Sequence, residues 1–228
     1  MDTFKTLPIK YSGELHDVRL VNFSVRKTEL GEHINYPLDP VEWENDRVLF
    51  SMVDVRLRQM KPSFLPEVFN FAYRHIAFRL LVKDAPVNGG ENQGVFFYRS
   101  FTDKALVKLG GNFFTSYKLE KAEFTDKNGD TEIRQGSKFL KYRLGEALEE
   151  PNEALVNLQR KIGALDRAYS LVDNELMVTQ IQREKWPLLP VLLIDFQTNF
   201  FKTARFEGAY RVPETIYYQW LPARKEEI

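Results

Sequence analysis

Apolar positions along this chain recur mostly with a period of two, the spacing of strands whose successive side chains face opposite sides. The run VRLVNFSV within residues 13–31 is rich in β-branched and aromatic residues and predicts an early strand. Residues 35–47 (NYPLDPVEWENDR) read as a polar, Pro-containing loop. Residues 48–60 (VLFSMVDVRLRQM) place Leu49, Val53, Val55 and Leu57 on one face of a half-buried strand. The clearest strand signal is residues 69–83 (FNFAYRHIAFRLLVK), where Phe71, Tyr73, His75, Ala77, Arg79 and Leu81 share one side. After the breaker DAPVNGGENQG, the segment GVFFYRS resumes extended chain. Thr102 to Leu109 has the make-up of a short helix, capped by Thr102 or Asp103 and stopped by Gly110-Gly111.

The second half is punctuated by turns. Residues 113–124 and 131–144 flank Lys127-Asn128-Gly129, and Asn-Gly between strand-like runs predicts a hairpin because both turn residues accept positive φ. One helix is predicted at about 152–166, opened by Pro151-Asn152, with Leu155, Leu158, Ile162 and Leu165 as its apolar stripe. Residues 169–172 and 175–183 form another hairpin about Asp173-Asn174, and Val191–Ile194 and Tyr210–Trp220 supply further strands. Two or three short helices among many hairpins indicate an α+β fold that is mainly β, in a single domain over residues 1–228. A barrel or strongly curved sheet is expected, because so many strands otherwise leave unprotected edges.

Composition narrows the function. Lys plus Arg and Asp plus Glu are both 32, so the basic excess expected of a nucleic-acid binder is missing. With no cysteine, thiolate metal sites, disulfides and thiol catalysis are excluded. The N-terminal residues lack an apolar core of signal-peptide length, and the most apolar run, Trp186 to Ile194, is far shorter than a membrane helix needs. The expectation is a soluble, cytoplasmic protein that binds neither nucleic acid nor membrane. There is no G-x-G-x-x-G, no phosphate loop and no H-E-x-x-H, and His16, His33 and His75 are not at ligand spacing, so no cofactor and no metal are expected. Tyr117 and Lys121 match a Y-x-x-x-K spacing, but without a glycine-rich nucleotide fold the match carries no chemistry.

The polar face of residues 69–83 is the feature that carries chemistry. Arg79 lies two same-face steps from His75, roughly 13–14 Å along the strand. Facing inward, Arg79 can bind a carboxylate through two parallel hydrogen bonds, and His75 can act near neutral pH. The opposite reading has this side in solvent while the apolar side packs the core; residues alone leave both open.

Three runs then matter together: YRHIAFRLLVK, GVFFYRSFTDKALVKLGGNFFTSYKLEKAEF and YSLVDNELMVTQIQREKWPL. In this order they resemble the uncharacterised YqjF-like family, which is related to acetoacetate decarboxylase, over about residues 45–195. The resemblance implies a cone-like antiparallel β-barrel whose His75 and Arg79 face lines a cavity. In acetoacetate decarboxylase the corresponding segments read approximately Tyr-x-Glu and Phe-Pro-Lys-Lys-Leu, and the first lysine forms a Schiff base. On this chain they fall on Tyr73-Arg74-His75 and Thr115-Ser116-Tyr117-Lys118-Leu119. Tyr117 then occupies the Schiff-base position and His75 the acid position; a phenol cannot form an imine. Where the YqjF-like pattern has His-x-Pro-Trp, this chain has Arg183-Glu184-Lys185-Trp186.

The resulting expectation is a domain, enzymatic or purely binding, for a small carboxylate or carbonyl compound. Arg79 and Tyr73 would bind the ligand, with His75 as acid/base or hydrogen-bond donor and Tyr117 polarising a carbonyl. Two alternatives stay open: a Schiff-base lyase using Lys118, and a structural or interaction protein whose interior is filled by its 18 Phe. Homo-oligomerisation is left open as well.

Overall fold

The computed structural model describes residues 9–34, 38–83, 93–105, 119–172, 175–184 and 186–225. The chain opens with β1 (Tyr11–Arg26), short β2 (Asp39–Pro40) and β3 (Glu42–Glu44), then the long β4 (Arg47–Pro62), β5 (Phe71–Lys83) and β6 (Gln93–Thr102). It continues with β7 (Leu119–Lys121), β8 (Glu123–Lys127), β9 (Asp130–Gln135), β10 (Lys138–Ala147) and helix α1 (Glu153–Gly163). Last come β11 (Arg167–Val172), β12 (Glu175–Arg183), β13 (Leu189–Thr198), β14 (Arg205–Arg211), β15 (Ile216–Trp220) and β16 (Arg224–Lys225).

Seven of these strands close into a barrel in the order β1, β4, β5, β6, β11, β12, β15 and back to β1. Pairing around the ring is antiparallel except where β11 runs parallel to β6. Gly94 makes that joint: a Cβ there would sit 2.5 Å from the Tyr169 ring and 2.7 Å from the Arg167 carbonyl oxygen. β1 belongs to two sheets. Residues 11–15 pair with β15, the strand bends at Asp17 (φ 51°), and residues 19–24 pair with β14. From β14 a second sheet continues through β13, β10, β9 and β8, beyond the barrel wall.

Two cores result. Barrel-facing Leu49, Val53, Val55, Leu57, Tyr73, Ala77 and Leu81 form one with Leu158, Ile162 and Leu165, the predicted stripe of α1 and its exit. Asn152 caps that helix, its side chain accepting from the Leu155 N–H at 2.9 Å. Outward-facing Phe50, Met52, Ile76, Phe78 and Leu80 form the other core with Ile133, Leu140 and Tyr142 of the second sheet.

The fold class and strand pattern match the sequence reading, with local differences. Residues 131–144 are two strands, because Gly136 (φ 57°) opens a tight Gly136-Ser137 turn between β9 and β10. Asn128 (φ 53°) and Gly129 (φ 83°) form the expected hairpin turn. Tyr210–Trp220 divides at Val212-Pro213, since proline cannot donate to the ladder. The stretch 35–47 includes short β2 and β3, and Thr102 ends β6 opposite His75 instead of opening a helix. Residues 106–109 of that predicted helix, and the Asp173-Asn174 turn, lie outside the described residues.

A buried ion network fastens the second sheet to the barrel. Arg74 grips Asp54 through Nε (2.8 Å) and Nη2 (2.6 Å), and its Nη1 reaches Asp126 of β8 at 2.9 Å. Tyr142 of β10 donates to the same Asp54 at 2.5 Å, and Arg19 donates to Thr131 of β9. Burial would lower the Arg74 pKa, but Asp54 and Asp126 more than offset it and hold it above the usual arginine value. The Arg74 and Asp54 side chains are only 11% and 3% exposed, so removing one charge strands the other. Arg74→Met should lower the unfolding free energy by about 3–5 kcal/mol in urea titrations, and Arg74→Met with Asp54→Leu should recover most of it. A loss under about 1 kcal/mol for the single variant would place this pair with weak surface bridges.

Candidate functional site

The inner face of β5 borders a cavity of about 500 Å³ within the barrel. Strand alternation brings Phe71, Tyr73, His75 and Arg79 to it from β5, joined by Val53, Val55 and Leu57 of β4 and Phe97 of β6. β12, β15 and the segment after β12 contribute Ile181, Arg183, Trp186, Tyr218 and Trp220. No Asp, Glu, Lys, Asn or Gln is among the described residues lining it.

Its cationic end is built from Arg79, Arg183 and Trp186. Arg79 donates from Nε to the Ser51 carbonyl at 3.1 Å and from Nη2 to the Ser51 hydroxyl at 2.9 Å. These bonds arise because Ser51 is the β4 residue directly opposite Arg79. Arg183 donates from Nη2 to the carbonyls of Gly163 (3.2 Å) and Leu165 (2.9 Å), and from Nη1 to Glu184 (3.3 Å). Both guanidiniums lie over the Trp186 ring, at 5.7 Å for Arg79 and 4.5 Å for Arg183. Neither makes an ion pair among the described residues.

The electrostatics follow from that arrangement. Burial, and secondarily the nearby Arg183 charge, pull Arg79 down to about 9. Burial lowers Arg183 to about 10 against a partial offset from Asp166. Both stay protonated at neutral pH. His75 is 7% exposed, and burial together with the Arg79 charge depresses it to about 3. Burial and the Arg79 charge thus both favour the neutral imidazole over its cation. Its ring stacks on Phe97 at 6.3 Å and lies 6.1 Å from Tyr73.

Tyr73, His75 and Arg79 thus come together at one cavity, whereas Tyr117 and Lys118 lie outside the described residues. Sequence reading overlooked Arg183 and Trp186 as site residues. Arg183 terminates a strand whose alternation points it inward with Ile181, a signal present in the sequence but mute until β12 is placed in the barrel. No group of three or more His, Asp or Glu suited to a metal occurs among the described residues. No described helix is long and apolar enough to cross a membrane.

Solved structures share this architecture. The enduracididine biosynthesis enzyme MppR complexed with pyruvate superposes with a TM-score of 0.61 at 12% identity, covering 99% of this chain and 92% of that one. An acetoacetate decarboxylase-like enzyme from Sphingomonas wittichii RW1 gives 0.60 at 11% identity, covering 97% and 94%. Acetoacetate decarboxylase from Legionella pneumophila subsp. pneumophila str. Philadelphia 1 gives 0.57 at 14%, covering 99% and 89%. At such identities the likeness establishes the fold and no more. No curated protein sequence matches the chain. A family model does: the pattern of DUF2071, an uncharacterized conserved protein, matches residues 12–220, and the chain belongs to this YqjF-like family.

Proposed function

We propose that this protein binds a small carboxylate or carbonyl compound inside the barrel, with Arg79 anchoring the acid group. The observation that carries the reading is a pair of largely buried guanidiniums, Arg79 and Arg183, on a mainly apolar cavity that no described carboxylate lines, with Asp166 offsetting only part of the burial effect on Arg183. A buried cation is expensive to leave uncompensated. Ser51 takes two of the five Arg79 donors, and the three that remain suit the paired oxygens of a carboxylate. Pyruvate in MppR supports the class of ligand, since that enzyme has the same fold.

The other candidate residues take roles consistent with their surroundings. His75 serves as a neutral hydrogen-bonding imidazole and does not need to cycle through its cation. Tyr73 forms the aromatic wall beside it. At the position of the Schiff-base lysine, Tyr117 polarises a carbonyl through its hydroxyl, which leaves Lys118 as the only amine of that pair. Borohydride treatment with a panel of keto acids is accordingly expected to leave no adduct; covalent labelling of Lys118 would replace this reading by the lyase.

Thermal-shift and calorimetric titration with keto, hydroxy and dicarboxylic acids test the anchor. Arg79→Gln should weaken binding at least tenfold, the worth of a charge-assisted hydrogen bond. Without ligand the variant should melt no lower than wild type, because it removes an uncompensated buried charge. Unchanged affinity would exclude Arg79 as the anchor.

His75 has a separate signature in pH-dependent stability. Its folded pKa, about 3, lies below the ordinary histidine value of about 6.5. Between those values the unfolded chain holds a proton that the native state does not, so stability falls as pH drops. One such group contributes a slope of about 1.4 kcal/mol per pH unit. Chemical denaturation at pH 6.5 to 4.5 should therefore show a slope that diminishes by that amount in His75→Gln. Equal slopes would mean that His75 is protonated in the folded state.

A further inference from the structure

The shape and chemistry of the cavity reach further than its cationic end. At about 30 Å³ per water-sized group, 500 Å³ accommodates roughly seventeen such groups, far more than a three-carbon acid occupies. Away from Arg79 and Arg183 the walls are aliphatic and aromatic, including Val55, Leu57, Met60, Phe97 and Ile181. Polar atoms on these walls are few, chiefly the Tyr11, Tyr73 and Tyr218 hydroxyls, the His75 imidazole and the indole nitrogens, too sparse for the many hydroxyls of a sugar. The one hydroxyl with a described partner, that of Tyr218, is turned onto the Met60 sulfur at 2.9 Å. A short polar acid would leave most of this surface in contact with water, against the hydrophobic effect.

The apolar lining also continues outward. Phe64, Phe69 and Phe71, in and beside the β4–β5 connection, line the cavity and are 71%, 59% and 37% exposed. Single exposed apolar residues are ordinary, but three phenylalanines lining one cavity carry its apolar wall toward solvent, and Phe71 stacks on Tyr73 at 5.8 Å.

We infer that the ligand is an amphipathic carboxylate, its acid on Arg79 and Arg183 and an unbranched apolar tail of about ten carbons running toward the Phe64, Phe69 and Phe71 rim. The inference rests on the carboxylate reading above and adds the tail. Burying a methylene is worth about 0.8 kcal/mol, which converts to about fourfold in affinity per added carbon.

Isothermal titration of the whole protein with straight-chain monocarboxylates of four to twelve carbons, pyruvate and the matching primary alcohols separates the two claims. The expected result is a dissociation constant that falls about fourfold per methylene until the cavity is full, with alcohols at least tenfold weaker. Phe69→Ser should weaken the longest acids and spare the short ones, while Arg183→Gln should weaken acids of every length and leave the slope intact. Pyruvate and short acids binding as tightly as decanoate, with no chain-length slope, would overturn the amphipathic ligand and leave the carboxylate site standing. Alcohols binding as well as acids would instead remove the carboxylate reading and keep an apolar site. No binding by any member would end both.

Discussion

The parity of β5 is the constraint on which this molecule depends. Its odd-numbered side chains, Tyr73, His75, Ala77, Arg79 and Leu81, face the barrel interior, and its even-numbered ones, Ile76, Phe78, Leu80 and Val82, face the second core. Both sides are buried, so neither tolerates the other's residues. A slip of one position would place Phe78 in the cavity and bury His75 and Arg79 among phenylalanines. The long neighbours enforce the register: β4 pairs with β5 on one side and β6 on the other, with Ser51 opposite Arg79 and Val55 opposite His75.

Arg74 and Arg79 show what this parity does to charge. They sit five positions apart on one strand and point to opposite sides. Arg74 meets Asp54, Asp126 and, through Asp54, the Tyr142 hydroxyl, so its charge is spent on joining two sheets. Among the described residues Arg79 meets serine groups, a tryptophan ring and a second guanidinium, and it lines the cavity. The directions of their pKa displacements express the contrast: carboxylates hold Arg74 up, and burial beside a like charge pulls Arg79 down. The first pattern joins two sheets; the second is the one on which the proposed ligand site rests.

Much of this architecture is legible in the sequence because period-two alternation and turn chemistry are local. The faces of residues 48–60 and 69–83, the Asn128-Gly129 turn and the stripe of α1 all follow from neighbours a few positions apart. The Gly136 turn was hidden by being a single glycine between polar residues, too slight a break to divide an otherwise continuous run. Long-range pairings are different in kind. Neither the parallel joint of β6 with β11 nor the double membership of β1 leaves a local mark, although Gly94 and Asp17 are where each is made. The same limit applies to the site: Arg79 and His75 announce themselves on one strand, while Arg183 and Trp186 reach them only through barrel closure.

Closure also ties the site to the helix. Arg183 holds the carbonyls of Gly163 and Leu165 at the C-terminal end of α1, where the helix dipole is negative and attracts a cation. The same guanidinium rests on Trp186 and lines the cavity. Its three described hydrogen bonds all go to neutral carbonyls, which orient it without cancelling its charge. Two N–H donors of the five are left, as Arg79 keeps three beyond its bonds to Ser51. Neutral carbonyl and hydroxyl oxygens thus fix these two cations without an ion pair among the described residues, and Asp166 offsets only part of the burial effect on Arg183. A carboxylate on the cavity wall would fix them equally well, but under the proposed reading it would fill the place of the acid ligand.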